Sequence, residues 1–510
     1  MSTYAIDALD NFVREELPAT IMESLPEVAP VYKYIESTSG GVVRNGIGRD
    51  WEVEHLFATG LAGLIQSADV RGALFDDNST YPQSLILDPT SPGINIFPSA
   101  TATPHTTSLK RILTLGMTTG NLTIPVTWLS GDALSASQIK QVSRDIAAVG
   151  QLRALTEAQS FFMGSNNTLA QIDNYDGTGE ASGYFTFTVK AGTGRTAFFR
   201  VGMMIDVVAD SSGTVQFGTA TDGTDLRNYQ DDDATYIPLI VSDVNYLTGV
   251  IKVATVTAEH IEAGDLAASA AFADDDWIVL RGCGSVDGRE QKSWGLEDWI
   301  KSSGQIMGGS GSVGNRLNPG LDLDTQSQFK SQVVAVNGPL TDTVMNGYIG
   351  GFLDAYPGQS LDTIITTQGV TLKYLEQPSL YNNRMFYDRT GSALTVAGGW
   401  DDVSYSFNGR KFRWIISPMC ISGTLYALKM NNGNIKRYIP PKVGGTDARI
   451  GGEVEFLAPL GGSNNIFKIA HASTGASQAL LEAPFWQYCL VAPVDVKSVK
   501  LTGLTESVMN

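Results

Sequence analysis

The first 45 residues alternate short apolar clusters with proline. Ile6, Leu9, Phe12 and Val13 recur at helical spacing, and Pro18, Pro26 and Pro30 then stop any long helix. Val31-Tyr32-Lys33-Tyr34-Ile35 reads as a strand. Such a segment closes no core of its own, so it is expected to lie as an arm on its own chain or on a neighbour. Residues 46–128 read as an excursion. Trp51 to Phe57 alternates as a strand, and Leu109 to Leu115 and Leu122 to Trp128 return. Between them lie Asp76-Asp77-Asn78-Ser79 and a stretch broken by Pro82, Pro89, Pro92, Pro98 and Pro104. So long a connection is functional or disordered rather than idle.

The strongest helical pattern follows. Ile139, Val142, Ile146, Val149 and Leu152 step by threes and fours as one apolar stripe, Ser135-x-x-Gln138 matches a capping box, and Gly164 is placed to end the helix. One helix over 136–163 would run about 42 Å at 1.5 Å per residue. Gly150 weakens its middle by about 1 kcal/mol relative to Ala and marks a place for a bend.

Residues 172–285 change period. Tyr184 to Val189, Phe198 to Val208, Thr214 to Phe217, Ile237 to Val244, Leu247 to Ala254 and Trp277 to Arg281 read as short strands between Gly/Asp/Ser turns. They predict a small all-β barrel or sandwich, inserted between the helix and Gly282-Cys283-Gly284. Residues 286–510 are mixed. A short helix is expected over Gly295 to Gly304. A longer one is capped by Asp342 and runs to Tyr356, with Val344, Tyr348, Phe352 and Leu353 on one face. Strands are expected at Thr363–Thr367, Val403–Phe407, Phe412–Ile416, Thr424–Lys429, Phe485–Ala492 and Val499–Leu504.

Composition narrows the function classes. The chain has 510 residues, 43% hydrophobic but only 17% charged, with 54 Gly. Low charge suits turn-rich β structure and surfaces buried against neighbours. Lys and Arg total 35 against 53 Asp and Glu, a net charge of −18, which argues against a phosphate-gripping basic groove. No apolar run is long enough to span a membrane. Asp7, Asp10, Glu15 and Glu16 interrupt any signal-peptide pattern in Met1 to Leu25. Cys283, Cys420 and Cys489 are odd in number and far apart, which fits a reducing compartment. The sequons at Asn78, Asn121 and Asn166 have meaning only in a secreted chain.

Candidate chemistry is sparse. Gly309-Ser310-Gly311-Ser312-Val313-Gly314 matches G-x-G-x-x-G, yet no strand enters it and Asn318-Pro319-Gly320 follows in place of a helix, so it reads as a loop. No Walker A motif occurs. His55, His105, His260 and His471 have no partner at metal-ligand spacing, and no G-x-S-x-G elbow accompanies them. Asp231-Asp232-Asp233 and Asp274-Asp275-Asp276 are read as solvated turn acids, with a weak cation site as the alternative. No carboxylate pair is marked by its spacing for sugar hydrolysis. The expectation is a non-enzyme with no catalytic residues, no cofactor and no metal.

The order of elements is the informative feature. Arg49-Asp50-Trp51 to Phe57, the helix within Ser130 to Gly164, Phe199-Arg200-Val201-Gly202-Met203-Met204-Ile205 with Ile240 to Val253, Leu361-Asp362-Thr363-Ile364-Ile365, Gly409-Arg410-Lys411-Phe412, Gly423-Thr424-Leu425-Tyr426 and Leu501-Thr502-Gly503-Leu504 follow one another along the chain. In that order the chain resembles the major capsid protein of tailed double-stranded DNA phages, a fold shared with encapsulins and the herpesvirus capsid floor. The resemblance implies an α+β capsid fold: an N-terminal arm (1–45), an extended two-stranded loop (46–128), a spine helix (129–171), an inserted β domain (172–285), an axial domain with remaining peripheral elements (286–483) and closing strands (484–510).

It further implies self-assembly through pentamers and hexamers into an icosahedral virion shell, built in the host cytoplasm around weakly and non-specifically held double-stranded DNA. Portal and scaffolding proteins are the implied assembly partners, a decoration protein is a further candidate, and no membrane is involved. Apolar residues of the excursion, Leu74, Phe75, Leu85, Ile86, Ile94, Ile96 and Phe97, are the candidate intersubunit contacts. An encapsulin-like compartment shell, a tail or baseplate protein and a secreted sugar-active enzyme stay open as alternatives.

Overall fold

The computed structural model describes residues 9–17, 19–20, 29–39, 42–43, 50–58, 106–114, 116–125, 136–163, 168–176, 184–208, 210–211, 214–215, 239–255, 272–280, 295–306, 321–324, 329–356, 360–377, 404–407, 410–431, 434–438, 454–456, 468–471, 479–489, 491–493, 495 and 497–507. The chain forms two compact units, Met1–Arg49 with Thr114–Asn510, and Asp50–Leu113. The smaller unit is founded on the strands Asp50–Ala58 and Thr106–Thr114, paired as a two-stranded sheet. This is the outgoing and returning pair that the alternation from Trp51 predicts.

In the larger unit residues 9–17 are helical. The next segment corrects the sequence reading: Pro30–Ser37 is an α-helix, not a strand. Proline at the first helical position loses no hydrogen bond there. Val31, Tyr32 and Ile35 then fall on one buried helical face, which a period-two strand would have split. The long helix spans Ala136–Met163, the range its periodicity predicts. Ser135 and Gly164, the expected cap and stop, lie outside the described residues.

Six antiparallel strands then close a barrel in the order Leu239–Asn245, Val250–Thr255, Tyr184–Val189, Thr168–Asp176, Trp277–Leu280, Met204–Val208. Alternation fills it: Phe185, Phe187, Ile205, Val207, Leu239, Val241, Ile251 and Val253 are buried at period two. The rings of Tyr175, Phe185, Phe187 and Phe272 pack 5.1–6.2 Å apart.

Three expectations need correction here. The barrel begins at Thr168, so a boundary at 172 falls inside its first strand. Residues 196–198 are a 3-10 turn and the strand starts only at Met204. Leu247 lies in a turn, 65% exposed, where the Asn245 side chain accepts from the backbone N–H groups of Leu247 and Thr248. Gly249 follows at φ +73°, a conformation that favours glycine.

The last region is a six-stranded mixed sheet, ordered Gln332–Gly338, Val499–Leu504, Leu425–Leu428, Thr363–Thr366, Arg410–Ile416, Ser404–Phe407. Over it pack Leu340, Met345, Ile349, Phe352, Val370 and Tyr374. The helical run there differs from expectation. Thr341, not Asp342, caps it, and a π-helical stretch at Asn346–Gly350 interrupts it. Met345, Ile349 and Phe352 are buried there, while Val344, Tyr348 and Leu353 pack half-buried against the same core. The helix expected over Gly295 to Gly304 is the single turn Leu296–Trp299.

Thr168, in the first barrel strand, pairs with Val279 in the last, so the chain enters and leaves the barrel through neighbouring strands about 5 Å apart. Excising 168–280 and joining the ends with a short Gly/Ser linker should leave the remainder folded, with one cooperative thermal transition by circular dichroism. Excision of 172–285, which leaves half a strand behind, should lower that transition.

Candidate assembly surface

Strands Gly116–Pro125 and Ala479–Cys489 run antiparallel, from Leu480 opposite Pro125 to Cys489 opposite Gly116. Period two puts Leu122, Ile124, Leu481, Ala483 and Phe485 on one face of this sheet, all buried. Leu9, Val13 and Leu17 of the N-terminal helix and Val142 and Ile146 of the long helix complete that core. Both helices therefore cover the same sheet face, and the arm packs on its own chain. A Cβ at Gly150 would meet Thr20 Cγ2 at 2.8 Å, so this glycine admits the N-terminal segment.

Each helix also exposes residues on the side turned away from that core. Helix 9–17 exposes Glu15 and Glu16. The long helix exposes Lys140, Arg144, Ala147, Ala148 and Gln151. Ile139 and Leu152, read from spacing as part of the inward stripe, are 41% and 53% exposed. Leu152 lies about 100° around the helix from the Val142–Ile146 direction, and Ile139 sits in the first turn. Elsewhere on these helices charges are satisfied: Arg14 Nε donates to Asp10 at 2.8 Å and Gln141 Nε2 to Asp145 at 3.1 Å.

A buried charge cluster anchors the arm. The Arg437 side chain is 2% exposed, and its guanidinium donates to Glu36 at 2.7 Å and Glu157 at 3.2 Å, the latter carboxylate itself 4% exposed. The same guanidinium lies 5.5 Å from the centre of the Tyr32 ring, whose edge meets Phe161. Tyr34 is held under Arg413, 4.4 Å from ring to guanidinium. The sequence reading missed this cluster, although a signal existed. Glu157 sits three turns after Ile146 on the core-facing stripe, and a carboxylate there needs a buried cation.

Two further carboxylates fasten the mixed sheet. Glu506 accepts from the Thr367 and Ser422 hydroxyls and the Gly423 N–H. Glu297 accepts from Tyr426 and Lys500, each at 2.6 Å.

The seven contact candidates, Leu74, Phe75, Leu85, Ile86, Ile94, Ile96 and Phe97, lie outside the described residues, as do Asp231 to Asp233, the loop at 309–314, His105 and His260. Of the second acidic run, Asp274 accepts from the Tyr175 N–H, Asp275 pairs with Lys190, and Asp276 is buried and accepts from the Ala273 N–H. Each acid thus serves barrel turns, and among the described residues no group of metal-binding side chains forms. Burial pushes the Cys420 thiol well above its ordinary range, which withholds the nucleophilic thiolate. Among the described residues no helix is long and apolar enough to cross a membrane.

Replacing Arg437 with Met should cost about 3–5 kcal/mol of unfolding free energy, because Glu157 is left buried and uncompensated; a denaturant titration measures it. The further change Glu157→Gln in that background should recover part of the loss. Burial also raises the Tyr438 phenol from 10.0 to about 12 and holds Tyr426 high, there assisted by Glu297. An unfolded chain ionises these tyrosines first. Their contribution is therefore complete below pH 10 and lost as pH rises towards about 12. Melting temperature should fall across that window together with the appearance of tyrosinate absorbance.

No protein-family model matches the chain, and no curated protein matches it in sequence. Among solved structures the chain is similar to the capsid asymmetric unit of cyanophage A-1(L), at 11% identity over 94% of this chain and 93% of that one, with a TM-score of 0.41. It is similar to the capsid of Myoviridae phage XM1 at 9% identity over 91% and 90%, TM-score 0.30. A third similarity is to the SrpI encapsulin complex of Synechococcus elongatus, at 12% identity over 34% of this chain and 53% of that one, TM-score 0.20.

Proposed function

We propose that this chain is a major capsid protein, a non-enzymatic subunit that assembles through pentamers and hexamers into the icosahedral head enclosing a double-stranded DNA genome. The observation that carries this reading is the separate unit Asp50–Leu113, founded on a two-stranded sheet. A two-stranded ribbon is marginal in water, and its 47-residue connection (59 to 105) contains Leu74, Phe75, Leu85, Ile86, Ile94, Ile96 and Phe97. Left exposed, such residues would exceed the apolar surface a soluble monomer tolerates, so in this reading a neighbouring subunit covers them.

In this reading the long helix is the spine, the barrel an inserted domain and the mixed sheet the axial domain. Low charge suits wide subunit contacts, because each buried charge needs a partner. A net charge of −18 keeps packaged DNA from being immobilised on the shell. Portal and scaffolding proteins are the partners such a shell requires during assembly in the host cytoplasm.

Purified protein should sediment as closed particles or as pentamers and hexamers, and particles from infected cells should contain DNA. A monodisperse monomer at every salt and protein concentration would overturn the reading. Particles filled with protein cargo and free of nucleic acid would favour a compartment shell instead. Changing Ile94, Ile96 and Phe97 together to Ser should lower particle yield while leaving subunit circular dichroism intact.

A further inference from the structure

The two-helix layer over the sheet Gly116–Pro125 and Ala479–Cys489 has an uneven distribution of charge. Lys140 and Arg144 stand one turn apart on the outward side of the long helix, and the helix beside it exposes Glu15 outward and Glu16 about 100° further round. All four are exposed. Among the described residues none of the four has an ion-pair partner, whereas Asp10 and Arg14 on the same layer do pair. The basic stripe contains no acid, in a chain whose net charge is −18. Beside it lie small Ala147 and Ala148, with the exposed Ile139 and Leu152 on opposite flanks about 20 Å apart along the helix.

A surface with one basic stripe and one acidic stripe side by side is complementary to itself after a two-fold rotation: each stripe of one copy meets the opposite stripe of the other. We propose that this layer is a two-fold docking surface for a second copy of the chain, with Lys140 and Arg144 facing Glu15 and Glu16 of that copy and Ile139 and Leu152 supplying apolar contact. It rests on the shell reading, since it names one of the subunit contacts such a shell needs. The contact is charge-steered, so it weakens as salt rises. The acidic residues beside the basic stripe favour a protein partner over a phosphate backbone, which Glu15 and Glu16 would repel.

Charge reversal tests it. The variant Lys140→Glu with Arg144→Glu makes both stripes acidic, and Glu15→Lys with Glu16→Lys makes both basic. Each alone should lower the assembled fraction by about tenfold in sedimentation, with circular dichroism unchanged because the four residues are exposed. An equimolar mixture of the two should assemble again, since the acidic layer now meets the basic one. If either variant loses its folded spectrum, the neutral pair Lys140→Gln and Arg144→Gln replaces it and should show a smaller loss of assembly.

Native assembly by both variants, or no recovery on mixing, would overturn the inference while leaving the shell reading intact. So would an acidic variant that assembles normally but loses its nucleic acid, which would assign the basic stripe to DNA. A wild-type chain that never associates would overturn both.

Discussion

The guanidinium of Arg437 is the constraint on which the placement of the arm depends. A charge so deeply buried is tolerated only when carboxylates reach it with good geometry, because desolvation otherwise costs several kcal/mol. Glu157 and Glu36 supply them from the far end of the long helix and from the helix Pro30–Ser37. The strand Ile435–Tyr438 that carries Arg437 lies between Val42–Val43 and Val491–Pro493. Four distant stretches of chain must therefore arrive together. Hydrophobic burial is non-directional and would not by itself specify that meeting.

The arm is consequently held in two different ways. Residues 9–17 are held by apolar packing against a sheet and the long helix. Residues 30–37 are held by charge, by hydrogen bonds and by cation–ring contacts. The first anchor depends on area removed from water and the second on geometry. The barrel adds a third kind of independence. Its closure leaves no open edge, and it enters and leaves the host through the adjacent strands Thr168–Asp176 and Trp277–Leu280.

Charged residues make up only 17% of the chain, so it has few to place. The half-buried carboxylates of Glu506 and Glu297 are satisfied by hydroxyls, an N–H group or a lysine of the same chain. Among the described residues the exposed Lys140, Arg144, Glu15 and Glu16 have no such ion-pair partner.

Periodicity alone determined the elements whose burial is one-sided: the helix 136–163, the alternating barrel strands around Phe185 and Phe187, and Val499–Leu504. In each the side-chain repeat and the backbone repeat coincide, so local pattern and final packing agree. Tertiary structure decided what local pattern left balanced. Val31 to Ile35 is β-branched and aromatic enough for a strand, yet it is a helix, because Pro30 starts one and Tyr32 and Ile35 then face the core. Asn346–Gly350 is π-helical, which the local apolar spacing does not mark. Gly150 is required by Thr20, which lies far away in sequence and close only in the fold. The partners of Glu157 were out of reach for the same reason: its position on an apolar stripe demands a cation, but which cation is set by where three other segments of the chain come to rest.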